Sequence, residues 1–156
     1  MVSDAFEALL ATCRPRRLLV CGERAGEIGR QWAAGQPGTE LTSIDQENPG
    51  DDPALLQPHD LALISDTVEN LPREKASLFL GQLRNLGTQQ IAVLAKDDGS
   101  LVFRDYIGLG FVRQAHFETE PPETLYTYNI ASYNRKRDWN NPRFWANPEM
   151  WNKSRW

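Results

Sequence analysis

The sequence predicts an α/β fold: a mostly parallel sheet of about six strands, closed at the C-terminal side by an antiparallel hairpin. Three observations predict it. Short apolar runs at residues 17–21, 40–45, 60–65 and 90–95 each end in a polar loop, as expected for strands that feed a ligand-side edge. Segments with helical periodicity lie between most of these runs, which gives the strand–helix–strand alternation of a parallel sheet. Residues 111–118 and 125–133 alternate apolar and polar side chains on either side of Pro121-Pro122, the pattern of a hairpin.

The first strand and its exit turn set the frame. Arg17 to Cys21 runs into the turn Gly22-Glu23-Arg24-Ala25-Gly26, and an amphipathic helix is expected over residues 25–34. Gly35 and Pro37-Gly38 stop that helix, and the second strand ends at Asp45. A helix N-terminus with free N–H groups favours an anionic ligand group, and an acid at the second strand end is placed to hold a ribose hydroxyl. The glycines do not have the G-x-G-x-x-G spacing of a dinucleotide fingerprint, and no G-K-[ST] makes a phosphate loop.

These residues resemble the class I S-adenosylmethionine-dependent methyltransferases, whose first strand carries an acid, whose turn reads G-x-G-x-G and whose second strand ends in an acid. Gly22 and Gly26 match the outer glycines and Asp45 matches the ribose-binding acid. Val20 stands where the family keeps its first acid, and Arg24 replaces the middle glycine. The resemblance therefore implies a shortened Rossmann-like methyltransferase sheet with a degenerate cofactor motif. It implies Gly22, Glu23, Arg24, Gly26, Asp45, Ser65 and Asp66 as the cofactor-side residues, and an Arg there sets a cation beside a cationic sulfonium.

The remaining chain extends the resemblance over residues 17–133. Ser3-Asp4 with Phe6, Leu9 and Leu10 predicts a capped first helix that ends at Arg14-Pro15. Residues 46–59 are rich in Pro, Gly and Asp and hold no apolar run, so the edge strand that the family places in this interval is expected to be missing. Residues 60–72 look like the family's fourth-strand region. They lack the Asn-Pro-Pro-aromatic or Asp-Pro-Pro-aromatic motif of base-amino methylation, and no Pro-Cys pair points to cytosine methylation. Leu71-Pro72 opens a helix with Ala76, Phe79, Leu80 and Leu83 on one face, and Ser100 is expected to cap a helix to about Ile107.

Composition bounds the rest. At 156 residues, with 40% hydrophobic and 24% charged side chains, the chain suits one globular domain. No run has the length of a membrane span, and residues 1–13 lack the basic start and apolar core of a signal peptide. Cys13 and Cys21 make neither a disulfide framework nor a metal site, so a reduced, cytoplasmic setting without a metal is expected. His59 and His116 stand at no recognisable ligand or triad spacing and read as structural.

The chain divides into an α/β domain over residues 1–133 and a basic, Trp-rich tail over residues 134–156. The tail holds six Lys and Arg against Asp138 and Glu149; with a net charge of −4 for the whole chain, the body is left near −8. It repeats W-x-N-P-x-[Phe/Met] at Trp139 and Trp145, with a degenerate third copy from Trp151 to Trp156. Asn-Pro steps oppose one continuous helix, and four clustered indoles call for burial against something.

Each candidate also has a plain structural reading. Gly22 and Gly26 either contact a ligand or only permit a tight turn, and Asp45 and Asp66 either bind or cap. Ser65 lacks the context of a hydrolase nucleophile, and no catalytic constellation emerges. The functional expectation is a methyltransferase-like protein with lost or weakened catalysis and weak S-adenosylmethionine binding. It would act on a protein partner through Trp139, Trp145, Trp151 and Trp156, with single-stranded RNA as the lesser candidate. The alternatives are an active S-adenosylmethionine-dependent methyltransferase on a small molecule or protein, and a binder of another nucleotide-like metabolite whose anion meets Arg24.

Overall fold

A computed structural model of the protein describes residues 2–86 and 88–130; the tail expected over residues 134–156 lies outside them. The described elements run α1 (Val2–Cys13), β1 (Arg17–Cys21), α2 (Glu23–Ala34), β2 (Glu40–Ile44), β3 (Leu61–Ser65), α3 (Arg73–Asn85), β4 (Gln90–Lys96), α4 (Phe103–Gly108), β5 (Val112–Phe117) and β6 (Glu123–Asn129). The six strands make one sheet in the order β2-β1-β3-β4-β6-β5. The first four are parallel, and β6 is antiparallel to both β4 and β5. Val20, Ile44, Leu63 and Val93 lie on these four adjacent parallel strands, as their apolar runs predict.

Alternation along the strands builds a core on each face of the sheet. Leu18, Val20, Leu61, Leu63, Ala92, Leu94 and Leu125 pack with Phe6, Leu10, Ala25 and Ile28 of α1 and α2. Leu19, Cys21, Ala62, Ile64, Ile91 and Val93 pack with Phe79, Leu80, Leu83 and Tyr106 of α3 and α4. Every residue of β3 is buried, as for a strand covered on both faces. Tyr106 stacks on Tyr126 with centroids 3.8 Å apart and meets Phe111 edge-on at 6.3 Å, which fixes α4 onto the hairpin.

Residues 46–60 hold two short 3₁₀ turns, Pro49–Asp51 and Pro53–Leu56, and no strand, so β2 is an edge of the described sheet. Three local expectations need correction. The first helix starts at Val2, which puts Ser3 inside it rather than at its cap. The helix α2 starts at Glu23, two residues early, directly after Gly22. Ser100 does not cap α4: its hydroxyl donates to the Leu71 carbonyl at 2.8 Å, and α4 starts at Phe103, where the Asp105 carboxylate accepts from the Val102 N–H at 2.9 Å. Local sequence favours a Ser cap, but Ser100 finds a carbonyl from the loop before α3 first.

Candidate functional site

The carboxyl ends of β1, β2, β3 and β4 meet the start of β6, with Lys96 of β4 opposite Glu123 in register. This is the edge where open α/β sheets take ligands. Most of the predicted site residues lie here, and the structure joins them chiefly to one another.

Gly22 has φ 100° and sits against β3. A Cβ at this position would lie 1.6 Å from the Ser65 carbonyl oxygen, so close approach of two strand ends requires glycine. Ser65 is fully buried, and its hydroxyl accepts the Ala25 N–H at 2.9 Å. The Arg24 N–H points to the Asp66 carboxylate at 3.4 Å, and the Gly26 N–H to the Gly22 carbonyl at 2.9 Å. The N–H groups of Arg24, Ala25 and Gly26 at the start of α2 thus already have partners within the chain. Gly26 itself has room: only the Arg30 guanidinium, at 3.3 Å, would meet an added Cβ.

Arg24 forms the centre. Its Nη2 donates to Asp66 Oδ1 at 2.8 Å and its Nε to Asp66 Oδ2 at 3.2 Å, a two-point pairing. The other side of the guanidinium reaches Glu123, with Nη1 to Oε1 at 3.0 Å and Nη2 to Oε2 at 2.5 Å. Side-chain exposure falls from 35% for Arg24 through 23% for Asp66 to 5% for Glu123, so the inner carboxylate depends on this cation for its charge balance. The hydrogen bonds that Arg24 donates to Glu123 and then to Asp66 raise its pKa above its ordinary value. Burial alone would raise the Asp66 carboxyl, but the hydrogen bonds and charge of Arg24, with Ser65, outweigh it and hold Asp66 below its ordinary value.

Two other predicted residues, Asp45 and Glu23, and three residues read as structural, Cys21, His59 and His116, stand apart. Asp45 is exposed and accepts the Glu47 N–H at 3.0 Å, an Asx turn that continues from β2. Glu23 is exposed in the first turn of α2. Cys21 is buried with its thiol 3.3 Å from Thr67 Oγ1, and burial pushes its pKa up to about 11, so it is an inert core thiol. His59 is buried at the start of β3, at the far end of the sheet, where burial lowers its pKa. His116 shares the Thr124 hydroxyl at 3.1 Å, and Thr124 in turn donates to Asp97 at 2.7 Å. No group of three or more potential ligand side chains that could hold a metal occurs among the described residues.

Sequence reasoning misses two acids. Glu123 lies before the hairpin strand as read from alternation, and nothing in the sequence ties it to a residue 99 positions earlier. Glu69 is set in the 3₁₀ turn Val68–Asn70; neither of its carboxylate oxygens has a partner in another described residue, and burial raises its pKa. Gly99 leaves no room beside it, since an added Cβ would meet the Glu69 Cβ at 2.9 Å. The turn reads Val68-Glu69-Asn70 after Asp66-Thr67, and nothing in so polar a stretch marks Glu69 as buried.

The fold is that of the class I methyltransferases, shortened at one edge of the sheet. A protein assigned as an O-methyltransferase from Nostoc punctiforme superposes with a TM-score of 0.56 over 81% of this chain and 55% of its own, at 14% identity. Magnesium protoporphyrin IX methyltransferase from Synechocystis, with S-adenosylhomocysteine bound, gives a TM-score of 0.52 over 81% of this chain and 80% of its own, also at 14% identity. Mitomycin 7-O-methyltransferase gives 0.52 over 82% and 56%, at 8% identity. The chain spans only a little over half the length of the first and third of these proteins. No curated protein matches the sequence. Residues 1–156 match the family described as "Family of unknown function (DUF6231)", and the chain belongs to that family.

Proposed function

We propose that this is a methyltransferase-like binding protein whose cofactor edge is closed by its own Arg24, and that it acts on a protein partner through its Trp/Asn-Pro repeat tail. The observation that carries the first part is the Arg24 guanidinium held between Asp66 and Glu123. As paired, these residues do not fit S-adenosylmethionine, the cofactor that the resemblance to class I methyltransferases implies. The Arg24 side chain and its two carboxylates fill the turn at which a glycine would let the backbone approach the cofactor closely, and the Arg24 and Ala25 N–H groups at the start of α2 already point to Asp66 and Ser65. Asp45 remains exposed, but the loop after it supplies no strand on which an adenine ring would rest. No step of methyl transfer is derived through such a site. A metabolite anion at Arg24 is equally disfavoured, because two carboxylates already satisfy that cation.

Calorimetric titration of the full chain with S-adenosylmethionine and S-adenosylhomocysteine tests this. The expected outcome is no measurable heat at ligand concentrations that saturate an ordinary site. Micromolar affinity, about −8 kcal/mol, that Asp45→Ala abolishes would instead support an active enzyme on a small molecule or protein. The support for the tail is its repeated Trp and its basic charge beside an acidic body. Trp151→Ala with Trp156→Ala in the full chain should abolish partner association while leaving the melting temperature unchanged. Loss of single-stranded RNA binding in the same variant would assign the tail to nucleic acid instead.

A further inference from the structure

A groove of about 400 Å³ opens on the α1 face of the sheet, at the end away from Arg24. Its lining includes Leu9, Ala92 and Val112, with the amide side chains of Gln90, Gln114 and Asn129. None of the described lining residues is charged. Val112, on the edge strand β5, is 45% exposed and lines this groove.

The chain itself leads to this place. Asn129 is both the last residue of β6 and part of the groove, and the Ile130 N–H donates to the Gln89 carbonyl at 2.9 Å, beside Gln90. The last described residue, Ile130, therefore stands at the rim. Trp139 stands nine positions beyond Ile130, an extended reach of about 30 Å, which is more than the groove requires. An indole needs an apolar slot and one acceptor for its N–H, and an uncharged floor with an amide rim supplies both. Asn140 and Asn141 suit the same amide rim. The basic tail is also attracted to a body whose net charge is near −8.

We propose that the groove between α1 and the β5–β6 hairpin is the intramolecular seat of the first tail repeat, with the Trp139 side chain inserted beside Val112. This leaves Trp151 to Trp156 for a partner, and it stands whether or not the Arg24 edge takes a cofactor.

The test uses the full chain with 5-fluorotryptophan at its five Trp positions, each ¹⁹F signal assigned by Trp→Phe replacement. Val112→Asp is introduced at an exposed position, so the fold should tolerate it, and an unmoved Trp32 signal reports that it does. The expected result is a Trp139 signal that shifts and narrows toward that of a solvated indole, with the Trp156 signal unchanged. Trp139→Ala and Val112→Asp should also destabilise the protein non-additively, the double variant losing no more than the worse single one. An unmoved Trp139 signal with additive losses would overturn the proposal. So would a Trp139 signal that depends on protein concentration, which would assign the groove to the tail of a second copy. A wild-type Trp139 signal already at the solvated position would leave the groove to a separate partner and overturn it equally.

Discussion

Gly22, Arg24 and Glu69 each make a local arrangement that one substitution exposes. At Gly22 an alanine would need both a positive φ and space that the Ser65 carbonyl occupies, 1.6 Å from its Cβ. Gly22→Ala should therefore cost about 3 kcal/mol or more in denaturant unfolding, well beyond a surface change. Arg24→Met leaves Asp66 and the nearly buried Glu123 without their cation. Partial exposure moderates the loss to about 1–3 kcal/mol at pH 7. The sign with pH comes from Asp66, whose folded pKa is depressed. Its contribution is present above the ordinary carboxylate value and is lost as pH falls through the lower folded value. The melting-temperature gap between wild type and Arg24→Met should thus close below about pH 4. Glu69 works in the opposite sense. Its raised pKa means that ionisation inside the fold is penalised once pH exceeds the ordinary value, so Glu69→Gln should raise the melting temperature at pH 7 by about 2–4 °C and change nothing in strong acid. An unchanged melting temperature at pH 7 would show that Glu69 is solvated.

At the scale of elements, α2 is fixed to β1 by a second glycine. A Cβ at Gly29 would lie 2.6 Å from Val20 Cγ1 and 3.3 Å from Leu41 Cδ1, so the helix touches the sheet backbone-close at this point. Gly29→Ala should overpack the contact and cost about 1–3 kcal/mol despite alanine's better helix propensity. A neutral or stabilising result in urea unfolding would mean that α2 lifts from the strand at no cost. The strands and helices are largely legible in the sequence because their signals are local: apolar runs at β1, β3 and β4, period-3.6 spacing at α3, and glycine stops. The candidate site is legible only as a motif with a misfit. Arg24 stands out because it replaces an expected glycine, but its partners come from residues 42 and 99 positions away, a distance no periodicity reports. The same reason hides the Ser65–Ala25 cap and the buried Glu69, which depend on the order in which strands sit side by side.

The whole molecule joins a familiar sheet to an edge that its own side chains fill. Helices on both faces and a terminal hairpin give the class I methyltransferase architecture without the further edge strand, and the closing contact runs from α2 to the last strand through Arg24. No helix among the described residues is long and apolar enough to cross a membrane. The closed edge stands or falls on whether this cation stays with Asp66 and Glu123 when a methyl-donor nucleoside is offered. Guanidinium ¹⁵N NMR of the full chain, with S-adenosylhomocysteine added to millimolar excess, reads it directly. Slow-rotating Arg24 Nη signals, held from two sides, should neither broaden nor shift, and the Gly22 and Asp45 amides should stay unmoved. Release of the Arg24 signals together with saturable shifts at Gly22 and Asp45 would refute the closed edge, showing one that opens to the nucleoside.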